Sequence, residues 1–357
     1  MHFRFYIGFC LLALLGSCTS KDKTQEKMVN LNDVSDKPEI KIARLNQAIN
    51  SNPNNAALYG QRSRLYDDLK KFDLALQDAE KALSLEPNKG EFHFLKAKAQ
   101  RGLNRLEASL RSAQDAEARD YNQAELYILM GEIHIIIKQY QKAIDFFNKA
   151  LKVSSFNEYA YFYKGIVYAE TKDTTRAISN FQTAIEQAPE FVEPYSELAK
   201  INTAQKNFKE AHQYLVSGMR FAPENAFLHY NEGANLIAQH LPDSAFVSFK
   251  QAANLDTSMY LATYNLGVIE YNRNKYPEAA NYFRKGLPHA AKLPNLYLLL
   301  ADSYEKSGNR QEALKYYNLV LQKDPANTFA QKGLTRLNRT APKNGIDSAA
   351  KTAPETF

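Results

Sequence analysis

Residues 158–191 read EYAYFYKGIVYAETKDTTRAISNFQTAIEQAPEF, and the same spacing of small, aromatic and proline positions recurs every 34 residues from Ala56 to Asn327 without insertion or deletion. The eight frames begin at Ala56, Gly90, Ala124, Glu158, Val192, Ala226, Tyr260 and Pro294. Their eighth residues are Ser63, Ala97, Gly131, Gly165, Ala199, Gly233, Gly267 and Ala301, and their twentieth are Ala75, Ser109, Ala143, Ala177, Ala211, Ala245, Ala279 and Ala313. Small side chains let two helices approach closely, so each frame predicts an antiparallel helix pair meeting at positions 8 and 20. Aromatic residues fill position 4 (Tyr59, Tyr127, Tyr161, Tyr195, Tyr297) and position 24 (Phe147, Phe181, Phe249, Phe283, Tyr317). Pro87, Pro189, Pro223 and Pro325 fall at position 32, just past the second helix, where a residue that cannot continue a helix belongs.

This pattern resembles the tetratricopeptide repeat (TPR) family: an aromatic, then L-G, Tyr, A-x3-F and Pro at fixed offsets. The fourth frame carries it as Tyr161, Gly165, Tyr168, Ala177, Phe181 and Pro189, and the eighth as Tyr297, Leu300, Ala301, Tyr304, Ala313, Tyr317 and Pro325. The resemblance implies an all-α, right-handed superhelical solenoid of about eight TPR helix-turn-helix repeats (56–89, 90–123, 124–157, 158–191, 192–225, 226–259, 260–293, 294–327). Departures are local. There is no Trp, Tyr121 stands where Pro is usual, and Pro288 falls inside the end of the seventh second helix. Gly218 and Gly286 replace Ala at position 27, each costing about 1 kcal/mol of helix propensity, and read as soft points.

Both ends carry further signals. Arg4 precedes an apolar run from Phe5 to Leu15, too short to span a bilayer, so 1–17 reads as a secretory signal peptide. Leu15-Gly16-Ser17-Cys18 resembles the bacterial lipobox, in which the cysteine is acylated; that implies lipidation of Cys18, the alternative being an ordinary signal with an incidental cysteine. Loss of Cys10 with the signal leaves Cys18 as the mature chain's sole cysteine, so no disulfide is available. Residues 18–38 are polar and aperiodic and read as a flexible tether. Residues 39–55 occupy the second-helix half of a frame and read as an N-terminal capping helix, while 328–339 continue the register as a C-terminal cap; solenoids need such polar-backed ends. In that cap Leu334 and Leu337 are placed to cover the last repeat, with Lys332, Arg336 and Arg339 towards water. Residues 340–357 are rich in Ala, Thr, Pro and Lys and read as a disordered tail.

In the family, first-helix positions 2, 5, 6, 9, 12 and 13 line the concave face and hold partner peptides. Repeats two to four place Phe94, Leu95, Ile128, Leu129, Ile135, Ile136, Phe162, Tyr163 and Ile166 there. A contiguous exposed apolar zone marks a partner site, whereas packing of positions 5 and 12 against neighbouring helices would make some of these residues core. We favour the partner site, because Leu95, Leu129, Ile136 and Tyr163 stand at positions that need no burial. Repeats six and seven offer Tyr230-Asn231 and Tyr264-Asn265, the same dipeptide one repeat apart, with Tyr271. An Asn side chain can both donate to and accept from an extended peptide backbone. Asn at this position resembles the backbone clamps of the family, and solvated polar surface is the other reading. Tyr and Asn stand where the chaperone-tail clamp of relatives needs Lys and Arg, so binding of that kind is not expected.

The formal net charge of +6, with both signs interspersed, gives no basis for nucleic-acid binding. No Walker loop, H-E-x-x-H, G-x-S-x-G, G-x-G-x-x-G or C-x-x-C occurs. His93 and His229 take position 4 and His134 takes position 11, which are packing sites rather than ligand sites. No catalytic residue, metal, cofactor or small-molecule substrate is expected. Asp173-Thr174-Thr175, Asp243-Ser244-Ala245 and Asp347-Ser348-Ala349 resemble an O-glycosylation acceptor of some Bacteroidota envelope proteins, and the Trp-free composition suits that phylum. The resemblances together imply a non-enzymatic, membrane-anchored scaffold of the bacterial envelope that binds envelope proteins or peptides. Thr19 is not the Asp that retains lipoproteins at the inner membrane, which favours the outer membrane; Ser20-Lys21-Asp22-Lys23 is not an acidic surface-export run, which favours the periplasmic leaflet over the cell surface. The competing function is a glycan- or nutrient-binding outer-membrane lipoprotein, against which stand the uninterrupted frames and the absence of Trp for sugar stacking.

Overall fold

In the computed structural model, which describes residues 37–339, helices follow one another along the chain with no strand among the described residues. The signal segment, Cys18, nearly all of the tether and the tail after Arg339 lie outside the described residues. The chain divides into two compact units at Arg105 and Leu106, inside the frame 90–123.

The first unit holds α1 (Pro38–Ser51), α2 (Ala56–Asp68), α3 (Phe72–Leu85) and α4 (Gly90–Gly102). Arg62 ties three of these together: its guanidinium makes two bonds of 2.7 Å to the Asp78 carboxylate on α3 and one of 2.6 Å to Asn46 Oδ1 on α1. Such bidentate pairing holds better than an ordinary surface pair.

The second unit holds α5 (Leu106–Glu117), α6 (Ala124–Ile136), α7 (Tyr140–Val153), α8 (Glu158–Glu170), α9 (Thr174–Gln187), α10 (Glu193–Ala204) and α11 (Phe208–Phe221). It continues with α12 (Ala226–Ala238), α13 (Pro242–Leu255), α14 (Tyr260–Asn272), α15 (Tyr276–Lys285), a 3-10 helix (Leu287–Lys292), α16 (Leu296–Lys306), α17 (Arg310–Lys323) and α18 (Thr328–Arg339).

In four frames a glycine at position 8 faces a phenylalanine ring at position 24. A Cβ on Gly165 would stand 2.6 Å from the Phe181 ring, one on Gly233 2.7 Å from Phe249 and one on Gly267 2.6 Å from Phe283; Gly131 faces Phe147 in the same way. Where position 24 is Leu215, position 8 can be Ala199, and both are buried. The whole ring fits because the facing residue has no side chain, and a close-packed interior has no slack for both.

Three repeated devices set the turns. First, position 15 lies in the left-handed region in every frame: Lys70, Asn104, Lys138, Lys172, Lys206, His240, Asn274 and Gly308, with φ between 57° and 81°. The next residue's N–H closes the helix by bonding back five residues, as Gln139 does to His134 at 2.8 Å and Asp173 to Tyr168 at 2.8 Å. Second, at six places the position 4 side chain donates to the carbonyl at position 32 of the preceding frame. Tyr59 reaches Pro53 (3.1 Å), His93 reaches Pro87 (2.9 Å), Tyr161 reaches Ser155 (3.3 Å), Tyr195 reaches Pro189 (3.0 Å), His229 reaches Pro223 (2.8 Å) and Gln331 reaches Pro325 (2.9 Å). A carbonyl can only accept, so both imidazoles present an Nε2–H. Third, Asn at position 34 caps the following helix, as Asn157 accepts from Ala160 N (2.9 Å), Asn225 from Leu228 N (3.2 Å) and Asn327 from Ala330 N (3.1 Å).

The two expected soft points differ. Gly218 sits inside an unbroken α11, where a Cβ would stand 3.1 Å from Leu228 and 3.2 Å from Tyr195; it permits a close approach. At Gly286 α15 ends, and the chain continues as the 3-10 helix from Leu287, because Pro288 cannot donate the next helical bond. The frame then resets through Asn295, at φ 54°. At the end of the second unit, α18 buries Ala330, Gly333 and Leu337, half-buries Leu334 and exposes Gln331, Lys332, Thr335 and Arg339. Its Arg336, about half exposed, holds both oxygens of Glu305 at 2.7 and 2.8 Å.

Candidate functional site

The residues read as a partner face fall into three sets. In the first unit, Phe94 and Leu95 on α4 are buried. In the second, Ile128 and Leu129 on α6 are also buried, Ile135 is half-buried, and Ile136 at the end of the helix is 49% exposed. The expectation that Leu95 and Leu129 stand at positions needing no burial is thus corrected. On α6 the run from Leu126 to Gly131 is buried on every side, because the helix is flanked by α5, α7 and α8; a helix apolar all round is a core helix.

The third repeat's neighbour is intermediate. Phe162 and Tyr163 on α8 are half-buried, Phe162 packing on Phe181 and Phe191 with ring centroids 5.8 and 5.1 Å apart, and Tyr163 stacking on Phe147 at 5.7 Å. Ile166 packs against the cluster of Ala177, Phe181 and Leu198. His134, stacked on Phe146 at 5.2 Å and bonded to Gln139, is buried, and burial holds its pKa below the ordinary imidazole value.

The Tyr-Asn pairs of α12 and α14 are turned into the fold. Asn231 is buried and donates to Ser196 Oγ on α10 at 2.9 Å, while Asn265 donates to the Leu261 carbonyl at 3.0 Å and interacts with the Tyr230 hydroxyl. Tyr264 donates to the Pro294 carbonyl at 2.8 Å, across the 3-10 segment, and its ring packs on Phe283 at 5.8 Å. Tyr271 donates to the Asp302 carboxylate and accepts from Lys306 Nζ at 2.9 Å. Burial pushes the hydroxyls of Tyr230, Tyr264 and Tyr271 above the ordinary phenol range, and Asp302 adds to the shift at Tyr271. Burial would lower the Lys306 pKa, but its bonds to Asp302 and Tyr271 outweigh that and raise it. A backbone clamp needs unengaged amides facing the peptide; here both amide nitrogens already serve protein oxygens.

What this face leaves open is apolar. Phe227 is 63% exposed and Leu261 38%, at position 2 of consecutive frames, and Ile237 at position 12 is 41% exposed. Tyr230, Tyr264 and Val268 lie half-buried behind them. Phe227 and Leu261 were readable, because four other frames put Ala57, Glu91, Glu125 or Glu193 at position 2, where a first turn favours an acid; the fourth frame puts Tyr159 there, also exposed, and the eighth Asn295. Two buried carboxylates border the region: Glu232, whose Oε1 accepts from His212 at 2.9 Å, and Glu270, held by Arg273 at 2.8 Å. The arrangement presents a stripe for an apolar partner and assembles no nucleophile with a base. Among the described residues, no group of three or more His, Cys, Asp or Glu could hold a metal ion, and no helix is long and apolar enough to cross a membrane.

Tetratricopeptide repeat models match residues 56–89 and 124–157, 159–190, and 294–327. Protein O-mannosyl-transferase TMTC1 of Mus musculus is 26% identical over 125 residues, covering 34% of this chain and 13% of that protein. BBSome complex member BBS4 of Bos taurus is 21% identical over 232 residues, covering 56% of this chain and 44% of that protein. The chain thus spans less than half the length of either relative. Among solved structures, pilF of Pseudomonas aeruginosa superposes with a TM-score of 0.54 at 17% identity, covering 60% of this chain and 97% of that one, a likeness of fold. The matched repeat models and the recurring helix pairs agree: the chain is a tetratricopeptide repeat protein.

Proposed function

We propose that this protein is an interaction scaffold that binds extended segments of partner proteins on the first-helix face of residues 226–306. The observation that carries the reading is the exposure of Phe227 and Leu261 one repeat apart, in front of the half-buried Tyr230, Tyr264 and Val268. A large apolar side chain in a helix's first turn gains nothing in the free protein, and a row of them forms the anchoring stripe of a peptide groove. The polar contacts of Asn231, Tyr264 and Tyr271 hold that stripe in place and leave side-chain packing to select the partner.

The finer reading places the scaffold in a bacterial envelope, anchored through acylated Cys18 to the outer membrane and facing the periplasm. Its support is the apolar run 5–15 and the Leu15-Gly16-Ser17-Cys18 sequence. Several acyl chains on one residue would hold the protein firmly where a single chain binds marginally. Photo-crosslinking in living cells from positions 227 and 261, with position 247 on a second helix as control, tests the face. Capture of one discrete envelope protein from 227 and 261 but not from 247 supports the reading; equal capture from all three removes it. Intact mass of the mature protein tests the anchor, since an unmodified polypeptide mass would eliminate acylation of Cys18 and a mass above the acylated value would reveal glycans.

A further inference from the structure

Between α15 and α17, beside the end of α16, runs an open groove of about 590 Å³. Its wall is aromatic: the rings of Tyr304 and Tyr316 stack 5.8 Å apart with 13° between their planes. Its rim is basic. Arg284 makes one bond, of 3.3 Å, to Asn281 Oδ1 and no ion pair among the described residues, while Lys315 is paired with Glu312 at 3.2 Å and lies 5.2 Å from the Tyr316 ring. Neither tyrosine hydroxyl has a hydrogen-bond partner among the described residues, although Tyr316 is buried to 5% exposure. Burial pushes that hydroxyl above the ordinary range against the pull of nearby Lys315 and Arg284.

The two helices that frame the groove carry Arg284, Lys285, Arg310, Lys315 and Lys323 against only Glu278 and Glu312. The groove therefore offers the Arg284 guanidinium, a second cation already paired with Glu312, and unengaged hydroxyls within an aromatic wall. A fork matches a carboxylate in two parallel bonds, the hydroxyls suit main-chain amides and carbonyls, and tyrosine faces take the stems between them.

We infer that the groove between α15 and α17 is a second docking site, which takes an extended acidic segment of a partner protein with a carboxylate on Arg284. The site draws on α15 and α17, with Tyr304 and Ser307 from the end of α16, and includes none of Phe227, Ile237 or Leu261. A chain holding both faces can grip two segments at once, and the second then benefits from a raised effective concentration.

The test is fluorescence anisotropy of fluorescein-labelled hexaglutamate with the full-length protein, over a range of salt concentrations. Saturable binding that weakens with salt, falls roughly tenfold in Arg284→Ala and is unchanged in Phe227→Asp is the expected result. Arg284→Lys should recover only part of the loss, because an ammonium cannot make the paired bonds. Circular dichroism of each variant should match the parent, since Arg284 is exposed and supports no packing. Absence of saturable binding, or undiminished binding by Arg284→Ala, overturns the site. Displacement by glucuronate or inorganic phosphate at equal charge concentration overturns the assignment to a peptide. Failure here with successful crosslinking at position 227 would leave the first-helix reading intact, and the reverse would leave this one.

Discussion

Repeats three and four place as much apolar surface at the first-helix positions as repeats six and seven, yet the two regions present it differently. On α6, Ile128 and Leu129 are buried and the exposed Ile136 stands at the helix end; on α8 the exposed Tyr159 rests its ring on Phe191, 4.9 Å away; on α12 and α14, Phe227 and Leu261 stand out from the first turn. The middle of a first helix is enclosed by its own second helix and the neighbouring repeats, so apolar residues there are absorbed into packing. Its two ends escape that enclosure. Exposed apolar surface on these helices therefore lies at their ends, and apolar content alone does not locate it.

The comparison breaks most readily at Leu129. Leu129→Asp leaves a charge without a partner in the core and should destabilise the second unit by about 3 kcal/mol or more, seen as a loss of helical signal on heating. If Leu129→Asp keeps its melting temperature, repeats three and four expose a surface after all. Gly165→Leu, which drives a side chain into the Phe181 ring, should cost roughly 1–3 kcal/mol by the same assay, and a smaller loss would mean that the pair can part without penalty. Tyr264→Phe removes the bond to the Pro294 carbonyl and should cost about 1 kcal/mol, with faster amide exchange along 287–296 as the specific readout. Smallest in stability, and most telling for the contrast, are Ile136→Asp and Phe227→Asp, each expected within about 0.5 kcal/mol of the parent in denaturant titration. Of these two, Phe227→Asp alone should abolish crosslinked partner capture.

The repeat, its register and its close-packed positions were legible because each demands a residue type: a glycine or alanine against a ring, a proline after a helix. The bonds from position 4 were half-legible. Tyr59, His93, Tyr195 and Gln331 share nothing but a donor at the end of a side chain of similar reach, a likeness that an aromatic motif conceals. The reach of burial was not legible at Leu95 and Leu129, since it depends on what neighbouring repeats bring to the same place. Neither were the engagements of Asn231 and Asn265, whose partners Ser196 and the Leu261 carbonyl carry no periodic signal. The break at Pro288 was visible as a departure, but the 3-10 segment that replaces the helix, and the carbonyl it offers to Tyr264, follow from three-dimensional closure.

The left-handed residue at position 15 of each frame has a consequence for how the array comes apart. Only Gly308 adopts that backbone without a Cβ; Lys70, Lys138, Lys172 and Lys206 adopt it as exposed lysines, at roughly 1–2 kcal/mol each relative to a relaxed conformation. Each of these tips is thus both a strained, easily opened point and a trypsin site. Native-state digestion should nick the array there first, and Lys138, Lys172 and Lys206 lie one repeat apart. The protein would be cut into whole repeats, each beginning with its second helix, so the unit excised by a protease is offset by half a period from the unit written in the sequence.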